Sequence, residues 1–277
     1  MEEAKYLIVN ADDYGRTPGV SNGIREAHLR GIVTSTSALM NMPWIEEDLR
    51  IAVRETPDLG LGVHLVLTCG TPLRSPDRME TITGGHECFP DLQEFLRRLP
   101  GVDPEQAAAE WETQIRRFIE LTGRHPDHLD SHHHAACFTE ALFEKFLGLA
   151  RRYRCGIRIP FPTQSGFCDG LPQQFAGAVM DFVPRLLRKD PVPKPDWFIG
   201  TFYDELATYE QLLRILDQLE PGVSELMCHP GFADPALLNG SAYGKPRERE
   251  VEILTMESIR QVLAGRGVQL INFADLA

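Results

Sequence analysis

Tyr6-Leu7-Ile8-Val9-Asn10-Ala11-Asp12-Asp13-Tyr14-Gly15 is the stretch on which the fold turns. Its apolar start has the length of a short buried strand, and it runs directly into two carboxylates and a turn-forming glycine. An open doubly wound sheet would carry a glycine-rich phosphate-binding turn at this place. Two acidic side chains have the wrong sign for cradling phosphate, so a closed or nearly closed β/α barrel is the better reading.

Outward from this stretch, short apolar runs alternate with amphipathic ones. Further candidate strands are Val33 to Met40, Leu61 to Leu67, His128 to Ser131, Gly156 to Ile159, Trp197 to Gly200, Glu225 to Cys228 and Val268 to Asn272. Helical patterns lie between them, at Val20 to Arg30, Ile45 to Glu55, Pro104 to Thr122, Thr139 to Tyr153, Gln173 to Arg188, Tyr209 to Leu219 and Arg249 to Ala264. In the longest, Ala108, Trp111, Ile115, Phe118 and Ile119 recur at helical spacing, with Asp103 before its start and Gly123 after its end. Strand followed by helix, repeated seven or eight times, predicts parallel β-structure with crossover helices. The expected class is α/β: a single-domain, TIM-like β/α barrel over residues 1–277, with seven strands or an irregular closure both compatible with the pattern. Two connections rich in Gly, Pro and Thr, Thr68 to Pro90 and Thr163 to Pro172, are expected to cover the active-site mouth.

Composition removes several partners. Among 277 residues, 28 Lys and Arg stand against 40 Asp and Glu, a net charge of −12 that opposes nucleic acid and anionic membranes. No apolar run approaches the ~18 residues of a membrane span. The acidic start lacks the basic region of a secretory signal. Cys69, Cys88, Cys137, Cys155, Cys168 and Cys228 form no CxxC pair and are expected to be reduced thiols, so the expected location is cytoplasmic.

The chemistry lies in where the polar residues fall. Asp12 and Asp13 follow the first apolar run, His64 sits in the third, Asp130 and His132-His133-His134 close the fourth, and His229 ends Glu225 to Cys228. The C-terminal ends of barrel strands converge on one face, and buried carboxylates and imidazoles need partners there. A carboxylate with two imidazoles and an open position suits a catalytic divalent ion such as Zn²⁺, and also Co²⁺, Ni²⁺ or Mn²⁺. A spare carboxylate could then act as base and a spare histidine as acid. In a regular strand Asp12 and Asp13 would point to opposite faces, and the turn at Gly15 could bring both to the mouth. Spacing alone puts His132 and His134 on one face and His133 on the other.

Blander readings compete with these. An Asp-Asp pair can cap a turn, His64 can be a satisfied core histidine, and Cys228 beside His229 can be inert packing. His28, His86 and His125 read as surface residues. Arg158, near the end of its strand, could hold a substrate hydroxyl, a phosphate or acetate, or else a structural ion pair.

Several blocks carry these residues in order: Leu7 to Gly15, Gly31-Ile32-Val33-Thr34-Ser35-Thr36, Gly62-Val63-His64-Leu65-Val66-Leu67-Thr68, His128 to His134, Met227-Cys228-His229-Pro230-Gly231-Phe232 and Ser241-Ala242-Tyr243. They resemble the YdjC-like carbohydrate deacetylases, whose best-described type is the chitooligosaccharide deacetylase. The resemblance spans almost the whole chain and is weakest over Phe161 to Asp204. It implies a β/α barrel, one divalent metal ion (Mg²⁺ or a zinc-like ion), and hydrolysis of an acetamide on an amino sugar. It further implies metal ligation by Asp13, His64 and His132, with Asp12 as base and His229 as acid, although the roles of Asp12 and Asp13 could be exchanged. Asp130 and His134 would then support the ligands or face substrate. The expected partner is a small carbohydrate, and a homodimer is compatible with the family. Related sequences often place a further histidine and a proline where this chain has Ala136 and Thr139, which points to a changed wall beside the site. Rival classes are another metal hydrolase on a barrel, a phosphoesterase or amidohydrolase, and a non-catalytic sugar-binding barrel.

Overall fold

The computed structural model describes residues 4–161, 170–241 and 243–276. The first apolar run forms a strand, β1 (Lys5–Tyr14), longer than its apolar part, so that Asp12 and Asp13 lie within it. It lengthens because Asn10 and Ala11 find backbone partners on both sides. The other strands are β2 (Ser35–Ala38), β3 (Gly60–Leu65), β4 (His128–Ser131), β5 (Gly156–Ile157), β6 (Trp197–Ile199), β7 (Gly222–Cys228) and β8 (Val268–Leu270). All pair in parallel, in the order β5-β4-β3-β2-β1-β7-β6. β8 pairs with the first part of β1, at Lys5 to Leu7, and β2 with its last part, from Asn10 onward.

The sheet curls without closing. Among the described residues β5 and β6 are its edges, and the gap is spanned by one backbone bond, from Ile157 N–H to Pro193 O at 2.9 Å. The curl is measured by Arg158, just past β5, whose Nε donates to Glu225 of β7 at 2.7 Å across the interior. The barrel reading therefore holds as a half-barrel with an open seam.

The helices are α1 (Pro18–Leu29), α2 (Ile45–Glu55), α3 (Glu80–Thr83), α4 (Leu92–Arg98), α5 (Pro104–Thr122), α6 (Glu140–Tyr153), α7 (Gln173–Lys189), α8 (Tyr209–Asp217), α9 (Pro235–Gly240), α10 (Lys245–Leu254) and α11 (Glu257–Gly265). The pattern read as one helix from Arg249 to Ala264 is two. The Thr255 hydroxyl donates to Val251 O at 2.8 Å, taking up a last-turn carbonyl, and extended Met256 follows. The connection from Thr68 to Pro90 contains α3, while residues 162–169 of the second expected loop lie outside the described part.

Helix α5 begins and ends as expected, with the Asp103 side chain accepting from Glu105 N–H and Gly123 at φ 72°. Its buried stripe, however, is turned to include Glu110 and Gln114 beside Trp111, Ile115 and Phe118. The cause is the loop that follows β3, whose backbone groups lack sheet partners. Glu110 accepts from Leu73 and Arg74 N–H at 2.9 and 3.0 Å, and Gln114 bonds both N–H and C=O of Val66. Ile115 and Phe118, fully buried, contribute about 1.5–3 kcal/mol each. No helix among the described residues is long and apolar enough to cross a membrane.

The apolar core lies between sheet and helices, whereas Asn10, Ser37, His64, Asp130, Arg158 and Glu225 form a bonded polar set inside the curl. Beneath them, Gly62 faces the His128 ring, which stacks on Phe273 with centroids 3.9 Å apart. A Cβ on Gly62 would stand 2.4 Å from His128 Cε1, and the stacked ring cannot step aside. Gly62→Ala is expected to destabilise by about 1–3 kcal/mol, read as a lower urea midpoint. An unchanged midpoint would show that the ring has room.

Candidate active site

Asp12 and Asp13 both face the mouth because the strand is not regular there. Asp13 is left-handed, at φ 73°, and the register with β2 shifts between Ala11 and Tyr14. This irregularity undoes the alternation that would have turned the second carboxylate away. Gly15 follows at φ 83°, a conformation in which it carries no steric cost. His64 Nε2 consequently lies 4.0 Å from Asp12 Oδ2 and 3.9 Å from Asp13 Oδ1.

Arg158 organises the inner layer. Its two terminal nitrogens donate to the two oxygens of Asp12 at 2.7 Å, and it also reaches Asp130 at 2.9 Å and Glu225. It is 2% exposed and does not line the cleft, so the ion pair is the reading that the structure holds. Burial by itself would raise the Asp12 pKa, but Arg158, then His64, hold that carboxylate well below the usual range. Glu225, with less help, is pushed up to about 7 by burial. Asp130 accepts from His64 Nδ1 at 2.7 Å and from the Ser37 hydroxyl at 2.9 Å. For His64, burial opposes the charged form, yet the carboxylates of Asp130 and Asp12 outweigh it and raise the pKa to about 9.

The three consecutive histidines depart from strand spacing. His133 and His134 have φ of 58° and 56°, so the chain turns sharply after Ser131. His132 and His133 therefore lie together, ring centroids 3.9 Å apart, with the Nδ1 atoms 2.9 and 3.1 Å from the Thr68 hydroxyl. His134 packs edge-on against Phe198 instead, and burial lowers its pKa to about 3. The expectation that His132 and His134 share a face fails because alternation requires an extended chain. The His132 ring stands 5.6 Å from that of His64, and burial followed by the neighbouring His133 keeps it neutral.

His229, just past β7, brings Nε2 to 3.9 Å from Asp12 Oδ2, while its buried Nδ1 has no hydrogen-bond partner among the described residues. Burial lowers its pKa to about 4. Its backbone is held by α10: Glu250 accepts from His229 N–H, and Arg247 donates to His229 O at 3.4 Å. Arg247 also donates to Asp13 Oδ2, which leaves Oδ1 of Asp13 buried without a hydrogen-bond partner among the described residues. Cys228 is a packed thiol beneath this ridge, its Sγ 3.4 Å from Asn10 O and its pKa pushed up by burial.

Asp12, Asp13, His64, the three consecutive histidines, His229 and Arg247 line a cleft of about 500 Å³, joined by Arg16, Thr68, Tyr203 and Tyr243. A larger crevice, about 720 Å³, lies over Thr83 and the segment from His86 to Pro90 and contains none of them.

A cation fits the donor set. Single ligand atoms of Asp12, His64 and Asp130, all buried, lie within 4.8 Å of one another, a group that could hold a metal ion. The oxygens of Asp12 and Asp130 are already engaged by Arg158, Ser37 and His64 Nδ1. Asp13 Oδ1, in contrast, is orphaned, and it faces His64 Nε2, whose ring is fixed from behind by a carboxylate in the manner of metal-binding histidines.

Arg247 and Glu250 are additions to the sequence reading: Arg247 precedes the helical pattern expected from Arg249, whereas α10 begins at Lys245 and carries both, three apart on one face. Glu225, charged within an otherwise apolar strand pattern, was a visible signal of the same kind.

Fold and site together define a β/α half-barrel enzyme whose carboxylates and imidazoles gather at the C-terminal strand ends. The chain belongs to the YdjC-like protein family, whose sequence profile matches residues 6–265. It is 36% identical over 278 residues to a carbohydrate deacetylase of Enterococcus faecalis V583, covering 99% of this chain and 98% of that one. It is 35% identical over 276 residues to a chitooligosaccharide deacetylase of Klebsiella pneumoniae 342, covering 98% and 99%. A crystal structure from Enterococcus faecalis V583, described as that of a candidate cellobiose-phosphate cleavage protein, superposes with a TM-score of 0.86 at 35% identity over 99% of each chain.

Proposed function

We propose that this protein is a metal-dependent hydrolase that removes the N-acetyl group from an N-acetylglucosamine-containing mono- or oligosaccharide, free or phosphorylated, releasing acetate. The observation that carries the reading is the orphaned Asp13 Oδ1, 3.9 Å from His64 Nε2 at the bottom of an open cleft. The names of the curated relatives support the same reaction class.

Asp13, His64 and His132 would hold the ion. When bound, a divalent cation supplies Lewis acidity, polarising the amide carbonyl and lowering the pKa of water. Arg158 keeps Asp12 ionised and oriented, and Asp12 is the group that takes the proton from the attacking water. His229, neutral at pH 7 because burial lowers its pKa to about 4, lies 3.9 Å from Asp12; it takes up the proton that Asp12 draws from the water and hands it to the departing amine, so that both side chains end as they began. Glu250 and Arg247 fix the His229 backbone while that proton moves.

Elemental analysis paired with acetate release from mono-, di- and phosphorylated N-acetylglucosamine tests this reading. The expected result is about one divalent ion per chain, with acetate formation abolished by a chelator and restored by Zn²⁺, Co²⁺, Ni²⁺, Mn²⁺ or Mg²⁺. Acetate from none of these sugars, with metal bound, would remove the function and leave the fold standing.

A further inference from the structure

We propose that Tyr203 is a specificity-determining residue whose free ring face carries the pyranose ring of the sugar amide. The proposal rests on the sugar-amide reading of the site. Tyr203 lines the cleft and is 42% exposed. One face is already covered, since it stacks on Tyr243 at 4.4 Å and an interplanar angle of 14°. Its ring also stands 5.2 Å from that of His229 at 68°. Among the described residues no other ring stacks on it, so its opposite face is a flat apolar wall beside the group that would face the departing nitrogen.

The ring is held in place from behind. Tyr243 donates to buried Glu250 and accepts from Asp204 N–H at 2.9 Å, so the supporting ring is fixed at its hydroxyl. Asp204 itself sits at φ 52°, a left-handed conformation that aspartate adopts more readily than most residues. An exposed aromatic at the mouth of a polar cleft, braced from behind by a second ring that is fixed at its hydroxyl, is a pre-organised contact. A pyranose presents one such complement: a face of axial C–H groups, apolar and flat, with its hydroxyls directed outward. A sugar lying on Tyr203 would have its acetamide within reach of His229, whose ring centroid is 5.2 Å from that of the tyrosine. Tyr203 also belongs to the stretch of the sequence that least resembles the family, where discrimination among sugars can differ without touching the reacting groups.

The test compares wild type, Tyr203→Ala and Tyr203→Phe as metal-loaded full-length proteins. Binding of chitobiose, the de-N-acetylated glucosamine disaccharide, is measured by calorimetry, with acetate release from di-N-acetylchitobiose and metal content alongside. Tyr203→Ala is expected to weaken sugar binding and raise KM about tenfold or more, with unchanged metal content and kcat within about threefold. Tyr203→Phe should restore wild-type binding, because the ring and not the hydroxyl is needed. Equal binding by wild type and Tyr203→Ala would overturn the proposal, as would a wild type that binds no disaccharide. Ring-dependent disaccharide binding without any acetate release would uphold it while removing the deacetylase reading.

Discussion

Asp13→Asn, His64→Ala and His132→Ala are each expected to lose bound metal and about a thousandfold or more of acetate-release activity, with the fold retained. The magnitude follows from the size of the electrostatic contribution in such sites, which is usually the largest single one. Asp13→Asn is the most informative of the three. It keeps the shape, but with its one oxygen on Arg247 it turns an NH2 group, a donor that cannot ligate a cation, to the place of the orphaned Oδ1. Changes behind the ligands should cost less. Asp130→Asn, which removes the charge behind His64 Nδ1 and one of the carboxylates on Arg158, is expected to weaken metal binding about 10- to 100-fold. The pH dependence has a fixed sign. His64 must be neutral to donate a lone pair, and the surrounding carboxylates raise its pKa to about 9 in the metal-free protein. Below that value metal binding must displace a proton, so affinity should fall by about tenfold per pH unit between pH 8 and pH 6. Calorimetry in buffers of different ionisation enthalpy reads both the affinity and the released proton. A variant of Asp13 or His132 that keeps both metal and full rate would sink the ligand assignment.

What could be read from residues alone divides along a physical line. Strand positions were visible because strands buried on both faces show as apolar runs; Leu7, Ile8 and Val9 are fully buried. That polar groups gather at the strand ends followed from the same runs. Their geometry did not follow, because it depends on backbone departures that no periodicity encodes. Asp13 reaches the mouth through a left-handed residue and a register shift, and His133 and His134 leave the strand through two more. The place of Arg247 is hidden for another reason. It lies 234 residues from Asp13 in sequence, and the packing of α10 against α1 brings them together. Tyr203 is the extreme case, since its role depends on what stacks behind it and not on its neighbours in the chain.

Arg158→Met is expected to be the most destabilising substitution in the barrel, by about 3–5 kcal/mol at pH 8. The guanidinium is 1% exposed and is the shared cation of Asp12, Asp130 and Glu225. Methionine fills much of the volume but leaves three buried carboxylates facing one another with only His64 as a charge partner. In the wild type Asp12 lies well below its ordinary pKa, so its contribution is present above about pH 4 and is lost as pH falls through the folded value. Glu225 has the opposite sign. Burial raises it from 4.5 to about 7, so stability is full below pH 4.5 and declines as pH rises through 7. Without Arg158 all three carboxylates move toward the behaviour of Glu225, and the folded variant takes up protons that the unfolded chain has released. The stability gap to wild type should therefore be widest at pH 8 and should narrow at pH 5, as read from urea midpoints. Glu225→Gln in the Arg158→Met background should recover part of the loss at pH 8, because it removes one of the unpaired charges. An equal loss at both pH values, with no recovery from Glu225→Gln, would mean that Arg158 holds the barrel by packing and not by charge.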